Sequence, residues 1–200
     1  MFRSIALVSI ATALGALGAT LVKPGDKSLP MAGDSFQVDG HDAFIIRPEK
    51  AHPAKPWVWY APTFIGRHPG EENGWMLCRL LDRGFAVAGI DVGESFGSPA
   101  GREVYAKFHA YLVRTRSFGG KPVLLARSRG GLMLYSWAVE NPQRVGGVAG
   151  IYPVCNIASY PGVGRAAGAY GMTADELERT LAVHNPIDRL KPLAAARVPV

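Results

Sequence analysis

The chain has 200 residues, 48% of them apolar and 19% charged, with a formal net charge of +6. That is enough apolar material for one domain with a sizeable core and too little length for two. Its 22 Lys and Arg are scattered singly, with no basic run of five or more, which argues against a nucleic-acid role and leaves a mild field attractive to acidic substrates.

The first residues, Met1-Phe2-Arg3-Ser4, lead into a small, apolar stretch over 5–19, and no further charge appears until Lys23. One positive charge, a short apolar run and small residues such as Ala16, Gly18 and Ala19 read as a secretory signal over residues 1–22. The alternative is an uncleaved anchor, since 5–22 falls at the lower limit of the ~20 residues a spanning helix needs. Both routes put the folded domain outside the cytoplasm, periplasmic or secreted. A membrane becomes a partner only if the segment stays uncleaved.

Short β-rich pieces at 35–38 and 43–47 flank Asp39-Gly40-His41-Asp42, which reads as a hairpin turn between antiparallel strands. Pro56 leads into a strand over 57–60, followed by a Pro- and Gly-rich loop over 61–70. A helix is expected over 71–83, with Trp75, Leu77, Cys78, Leu80 and Leu81 as its apolar face and Gly84 as its stop. A strand over 85–92, a helix over 103–116, a strand over 122–125, a helix over 130–140 and a strand over 145–154 come next. Beyond these the pattern loosens, with helices over 173–183 and 188–196 and the start of another strand at 198–200. Strands alternating with helices at this spacing predict an α/β fold, a mostly parallel sheet with helices on both faces, whose ligands bind at the carboxyl ends of the strands.

Cys78, in mid-helix, and Cys155, past a strand end, read as two buried free thiols rather than a disulfide. No Cys or His spacing resembles a metal site. Gly162-Val163-Gly164-Arg165-Ala166-Ala167 fits G-x-G-x-x-A, but Pro161 rather than a strand precedes it and no βαβ unit follows, so no dinucleotide cofactor is expected. No cofactor of any kind is called for.

The strongest signal is Ala126-Arg127-Ser128-Arg129-Gly130-Gly131, between the apolar run Val123-Leu124-Leu125 and the helical run that starts at Leu132. A serine hydroxyl is a poor nucleophile, so it must be held proud of the sheet, near a base and beside N–H groups that receive an oxyanion. A sharp strand-to-helix turn does this only if the residues two before and two after the serine are small, as Ala126 and Gly130 are. The bland alternative makes Ser128 a helix cap. A literal G-x-S-x-G also occurs at Gly93-Glu94-Ser95-Phe96-Gly97. There Gly97-Ser98-Pro99 comes next, so no helix begins directly after Ser95 and no such turn can be built.

At Ala126 to Gly131 the chain resembles the α/β-hydrolase superfamily, whose pattern is G-x-S-x-G, with Ala126 in place of the first glycine. The likeness covers nearly all of residues 35–200, and the turn follows the fifth strand, as it does in that superfamily. It implies an α/β-hydrolase domain over about 30–200, with the last strands and helix missing and a small lid-like segment at about 155–185. It further implies Ser128 as nucleophile, the Arg129 backbone N–H as one oxyanion donor, and a second donor from the loop after the third strand. Pro62 has no N–H to give, so Thr63 is the first candidate and Phe64 the second. His68, Phe96 and Arg127 are expected near the pocket.

The superfamily order runs Ser, then Asp or Glu, then His. Only His184 follows Ser128, and beside Asn185-Pro186 it suits a capping or surface role; His41, His52, His68 and His109 all precede the turn. The acid and base are therefore expected beyond Val200, and the 200-residue form is expected to be inactive. Arg127 and Arg129 either attract a substrate anion or pair with Asp91, Glu94 or another carboxylate at the sheet top, and the second reading is preferred. With the leader-like start giving export, the resemblance implies a serine hydrolase acting on a small-molecule or carbohydrate-linked carboxylic ester. Competing expectations are the same scaffold acting on amides or thioesters, a catalytically inactive binding domain, and an envelope-anchored interaction protein. Oligomeric state is left open.

Overall fold

A computed structural model describes residues 31–64 and 69–200. Among the described residues six strands form one sheet: β1 (Asp34–Val38), β2 (His41–Ile46), β3 (Trp57–Ala61), β4 (Ala86–Ile90), β5 (Val123–Arg127) and β6 (Gly147–Ile151). Their spatial order is β1-β2-β4-β3-β5-β6. The β1–β2 and β2–β4 pairs are antiparallel, and the β4–β3, β3–β5 and β5–β6 pairs are parallel.

The opening hairpin is tighter than its sequence indicated. Val38 pairs with His41, leaving Asp39 and Gly40 as a two-residue turn, both at positive φ (+53° and +78°). Such a turn matches the right-handed twist of its strands, so His41 and Asp42 join β2 instead of the loop.

Strands β3 and β4 are buried along their whole length, as near-continuous apolar runs covered on both faces should be. Alternate residues divide two cores. Trp57, Trp59 and Ala61 join Ala86, Ala88, Ile90, Leu124 and Ala126 on one face. Val58 and Tyr60 join Phe44, Ile46, Val87 and Leu125 on the other. The second face is covered by α1 (Gly74–Asp82), which follows a short 3-10 turn at Glu71–Asn73. The first is covered by α2 (Pro99–Arg114), α3 (Gly130–Glu140) and α7 (Lys191–Ala195).

Helices α1 and α2 differ in detail from their sequence expectations. In α1, Leu77 is fully buried while Trp75 is 75% exposed and Cys78 is also exposed. The inward stripe is Asn73, Leu77, Leu80 and Leu81, a proper i, i+4, i+7, i+8 set; Trp75 and Cys78 lie outside it. Both thiols are free, as expected, but only Cys155 is partly buried, and burial pushes its pKa up. Helix α2 starts at Pro99, earlier than residue 103, because Ser98 caps Gly101 N–H and proline fits the first helical position.

After β6 the chain leaves the sheet as α4 (Val163–Tyr170), α5 (Ala174–Arg179) and α6 (Leu181–His184). One helix was expected over 173–183; two short ones occur, and α4 was not anticipated. Residues 162–167 open α4, with Gly162 at φ +89° before it, so this glycine run is a helix start rather than a nucleotide loop. Ala166, Ala167, Tyr170 and Leu177 pack with Leu132, Ile157 and Phe96 in a third core. A 3-10 turn at Pro186–Arg189 then precedes α7. Residues 198–200 carry no strand, yet the Val148 N–H donates to the Pro199 carbonyl at 2.8 Å, so the chain runs beside β6 where a further strand was expected. No described helix is long and apolar enough to cross a membrane; the leader or anchor read over 1–22 lies outside the described residues.

Candidate active site

Strand β5 ends at Arg127 and α3 begins at Gly130, so Ser128 occupies the turn between them. Its φ is +50°, a left-handed conformation that costs a non-glycine residue of order 1–3 kcal/mol and persists only where its surroundings hold it there. They do. Ser128 N–H donates to the Ile151 carbonyl at 3.0 Å, while the Ser128 carbonyl accepts from Gly131 N–H at 2.9 Å and Val154 N–H at 2.8 Å. The serine is half-buried, and no described residue hydrogen-bonds its hydroxyl.

The two small residues sit where steric reasoning put them. Ala126 is fully buried. A Cβ on Gly130 would overlap the Ala61 carbonyl and Pro62 N. Gly131 is equally cramped, against the Val154 backbone; this third small position was not singled out from sequence, although the Gly-Gly pair was its signal.

Arg129 directly precedes α3, so its N–H belongs to the leading set that has no intrahelical acceptor. The loop after β3 lies against this turn, because Gly130 packs on Ala61-Pro62. Thr63 is buried, donates its hydroxyl to the Tyr60 carbonyl at 3.1 Å, and forms an isolated parallel bridge with Asp91. Phe64 follows, with the Arg129 guanidinium 5.0 Å over its ring. His68 lies outside the described residues.

The two arginines are engaged with their neighbours. Arg129 pairs with Glu94 at 3.2 Å and donates to the Tyr160 hydroxyl at 3.3 Å. Arg127 donates from Nε to the Tyr152 hydroxyl at 3.0 Å, stacks over that ring, and lies 3.6 Å from Glu72. The preferred carboxylate-pairing reading describes both, with Glu72 as the acid not foreseen. Tyr152, unnoticed in the sequence, follows the carboxyl end of β6 at φ +39° and is 66% exposed. The strand expected to run on through 154 hid it; β6 ends at Ile151, which leaves Tyr152 in the row of loops where such sheets bind ligands.

Ser95 is placed differently. It sits under the first turn of α2, its carbonyl accepting from Ser98 N–H at 2.8 Å and Gly101 packed against its side chain. Phe96, expected to line the pocket, is instead buried in the third core, and Tyr170 donates its hydroxyl to the Phe96 carbonyl at 3.0 Å. Burial pushes the Tyr170 pKa to about 12, which keeps that donor protonated. Among the described histidines, His41 faces the Asp91 carbonyl, His52 accepts from Ala54 N–H, and His109 faces the Gly120 carbonyl. His184 is half-buried rather than at the surface, its ring edge-on to Tyr170. Among the described residues no three His, Cys, Asp or Glu side chains group as metal ligands.

No family model and no curated protein matches the sequence. The structure does match solved ones. MPT51 of Mycobacterium tuberculosis superposes with a TM-score of 0.60 at 15% identity, over 84% of this chain and 72% of that one. A puromycin hydrolase gives 0.58 at 15% identity over 86% of this chain, and dipeptidyl peptidase 4 of Porphyromonas gingivalis gives 0.58 at 13% over 80%. The chain spans only 30% and 26% of those two proteins. With these neighbours, the strand order and the turn at Ser128 in view, the chain has the α/β-hydrolase fold.

Proposed function

We propose that this domain is the core of an exported serine hydrolase in which Ser128 attacks a carboxylic ester, forms an acyl-enzyme and is released by water. The observation that carries the reading is the strained backbone of Ser128, φ +50°, pinned on both sides while its hydroxyl stays uncommitted at the carboxyl ends of the strands. A cap residue or a core serine has no need of that arrangement.

In this reading the Ser128 Oγ attacks the carbonyl carbon as a base removes its proton. Negative charge collects on the carbonyl oxygen, where N–H groups already aimed at it are worth about 2.7–4 kcal/mol each. Arg129 N–H supplies one. The Thr63–Asp91 bridge draws Thr63 into the sheet, which favours Phe64, beside the Arg129 side chain, as the second. The tetrahedral intermediate then collapses, the alcohol leaves with a proton, and the mirror sequence with water frees the acid. In the superfamily order the orienting acid and the base both follow the serine along the chain. Helices α4 to α6 act as a cap, and Tyr152, braced by Arg127, forms one wall of the entrance. Export rests on the character of residues 1–22.

The test is pre-steady-state hydrolysis of p-nitrophenyl esters by the full-length gene product. A stoichiometric p-nitrophenol burst and an acyl mass increment on the peptide carrying Ser128 are expected. A burst with the adduct elsewhere, or turnover unaffected by Ser128→Ala, would refute the assignment. Parallel anilide and thioester substrates decide which acyl bond is preferred.

A further inference from the structure

We propose that a cavity at the end of the sheet opposite Ser128 binds a small apolar carboxylate. The cavity holds about 200 Å³ and lies where β2 ends and β3 and β4 begin, lined in part by Arg47, Pro48, Lys55, Pro56, Arg116 and Phe118. Ser128 follows the carboxyl end of β5, which runs parallel to β3. A five-residue strand at ~3.3 Å per residue therefore separates the two sites by roughly 16 Å.

The lining has two parts. Its wall is apolar, from Pro48, Pro56, Ala86 and Phe118, and its charged members are three cations, Arg47, Lys55 and Arg116, with no carboxylate among the lining residues. Arg47 pairs with Asp34 at the hairpin. No described carboxylate pairs with Lys55 or Arg116. The Arg116 guanidinium is held in place by its surroundings: Nε donates to the Tyr111 hydroxyl at 3.0 Å, and the group lies over the rings of Phe36 and Tyr111 at 5.2 and 5.5 Å. A fork fixed in this way is prepared for two-point binding of a carboxylate, with less freedom to lose than a loose side chain.

The mount of the second cation is also fixed. Lys55 has φ +44°; its N–H donates to the His52 carbonyl at 2.8 Å and its carbonyl accepts from Gly119 N–H at 3.0 Å. This turn fixes where the Lys55 side chain leaves the backbone beside the cavity. The volume is below the roughly 300–1,000 Å³ of drug-sized pockets, so the occupant is a single ring or short alkyl chain bearing the acid. Its body would rest on Phe118 and the prolines while its carboxylate meets Arg116 and Lys55.

The experiment titrates benzoate, benzyl alcohol and inorganic phosphate into the full chain, following heat and the backbone amide resonances of Lys55, Ala86 and Phe118. Saturable benzoate binding is expected, with shifts confined to those amides, no response to benzyl alcohol and none to phosphate. Arg116→Met and the more exposed Lys55→Met should each weaken binding about tenfold, the loss of one charge-assisted contact. An unchanged thermal transition shows that each variant is folded, and Lys55→Met carries the test if Arg116→Met is not. Equal binding of benzyl alcohol, phosphate binding in place of benzoate, shifts centred on Ser128, or full affinity in folded Lys55→Met would each overturn the proposal.

Discussion

Gly130 and Ala61 meet backbone to backbone: a methyl group at Gly130 would overlap the Ala61 carbonyl oxygen. Helix α3 can therefore start beside the end of β3 only if that position has no side chain. This contact sets the distance between the loop after β3 and the turn that carries Ser128. We expect Gly130→Ala to cost about 3 kcal/mol, in the range for overpacking a close contact with rigid backbone. Urea unfolding of the two proteins measures it. A loss within ~0.5 kcal/mol would mean that the strand and helix separate easily and that the turn is not held by its packing.

Tyr152 gives a kinetic expectation. Its ring is exposed at φ +39° and braced by the Arg127 Nε bond, so it serves the entrance better than the core. Tyr152→Ala should raise KM up to about tenfold for esters with an aromatic leaving group, the value of one aromatic contact, and leave kcat within about twofold. Steady-state kinetics on aryl and alkyl esters separate this from a structural role, which would lower kcat for both.

Acid sensitivity follows from two histidines. Burial holds His109 below its ordinary pKa, opposed by the Gly120 carbonyl and helped by Arg144. Burial, then Arg102 and Arg189, lowers His184 as well. In each case the unfolded chain takes up a proton at a higher pH than the folded one. The stability these groups contribute is therefore fully present above about pH 6.5 and lost as pH falls through their lowered folded values. Denaturant midpoints measured from about pH 7.5 to 5 should fall, and His109→Gln, which can still donate to Gly120, should flatten the slope. A slope unchanged in that variant would show that His109 does not contribute.

The helices after β6 depend on a local cap. Thr173 and Glu176 form a reciprocal capping box at the start of α5. Thr173→Ala should cost about 1 kcal/mol, and it should first raise hydrogen exchange over residues 174–184 if these helices open as a unit separate from the sheet. Uniform acceleration across the sheet and the cap alike would contradict that.

The turn was legible because its chemistry is steric: a strand, a serine and a helix crowded together leave little choice but small residues at Ala126 and Gly130. The mostly parallel sheet was legible for a related reason, since alternating strands and helices restrict how such a sheet can be laid down. Other features rest on forces a linear reading weighs poorly. Trp75 and Cys78 are one turn apart and mimic an inward face, and only contact with β4 reveals that Asn73, Leu77 and Leu81 win. Ser98-Pro99 reads as a break yet starts α2, because proline ends one segment and opens the next with the same geometry. Phe96 looked like a pocket wall until α4, built largely from Gly and Ala, covered it. Tyr152 carries no motif at all.

The central claim concerns one hydroxyl, and labelling tests it most directly. A fluorophosphonate probe applied to the full-length gene product should modify Ser128, with labelling lost in Ser128→Ala and retained in Ser95→Ala. Labelling that survives Ser128→Ala, or disappears with Ser95→Ala while the variant remains folded, would contradict the assignment of the nucleophile.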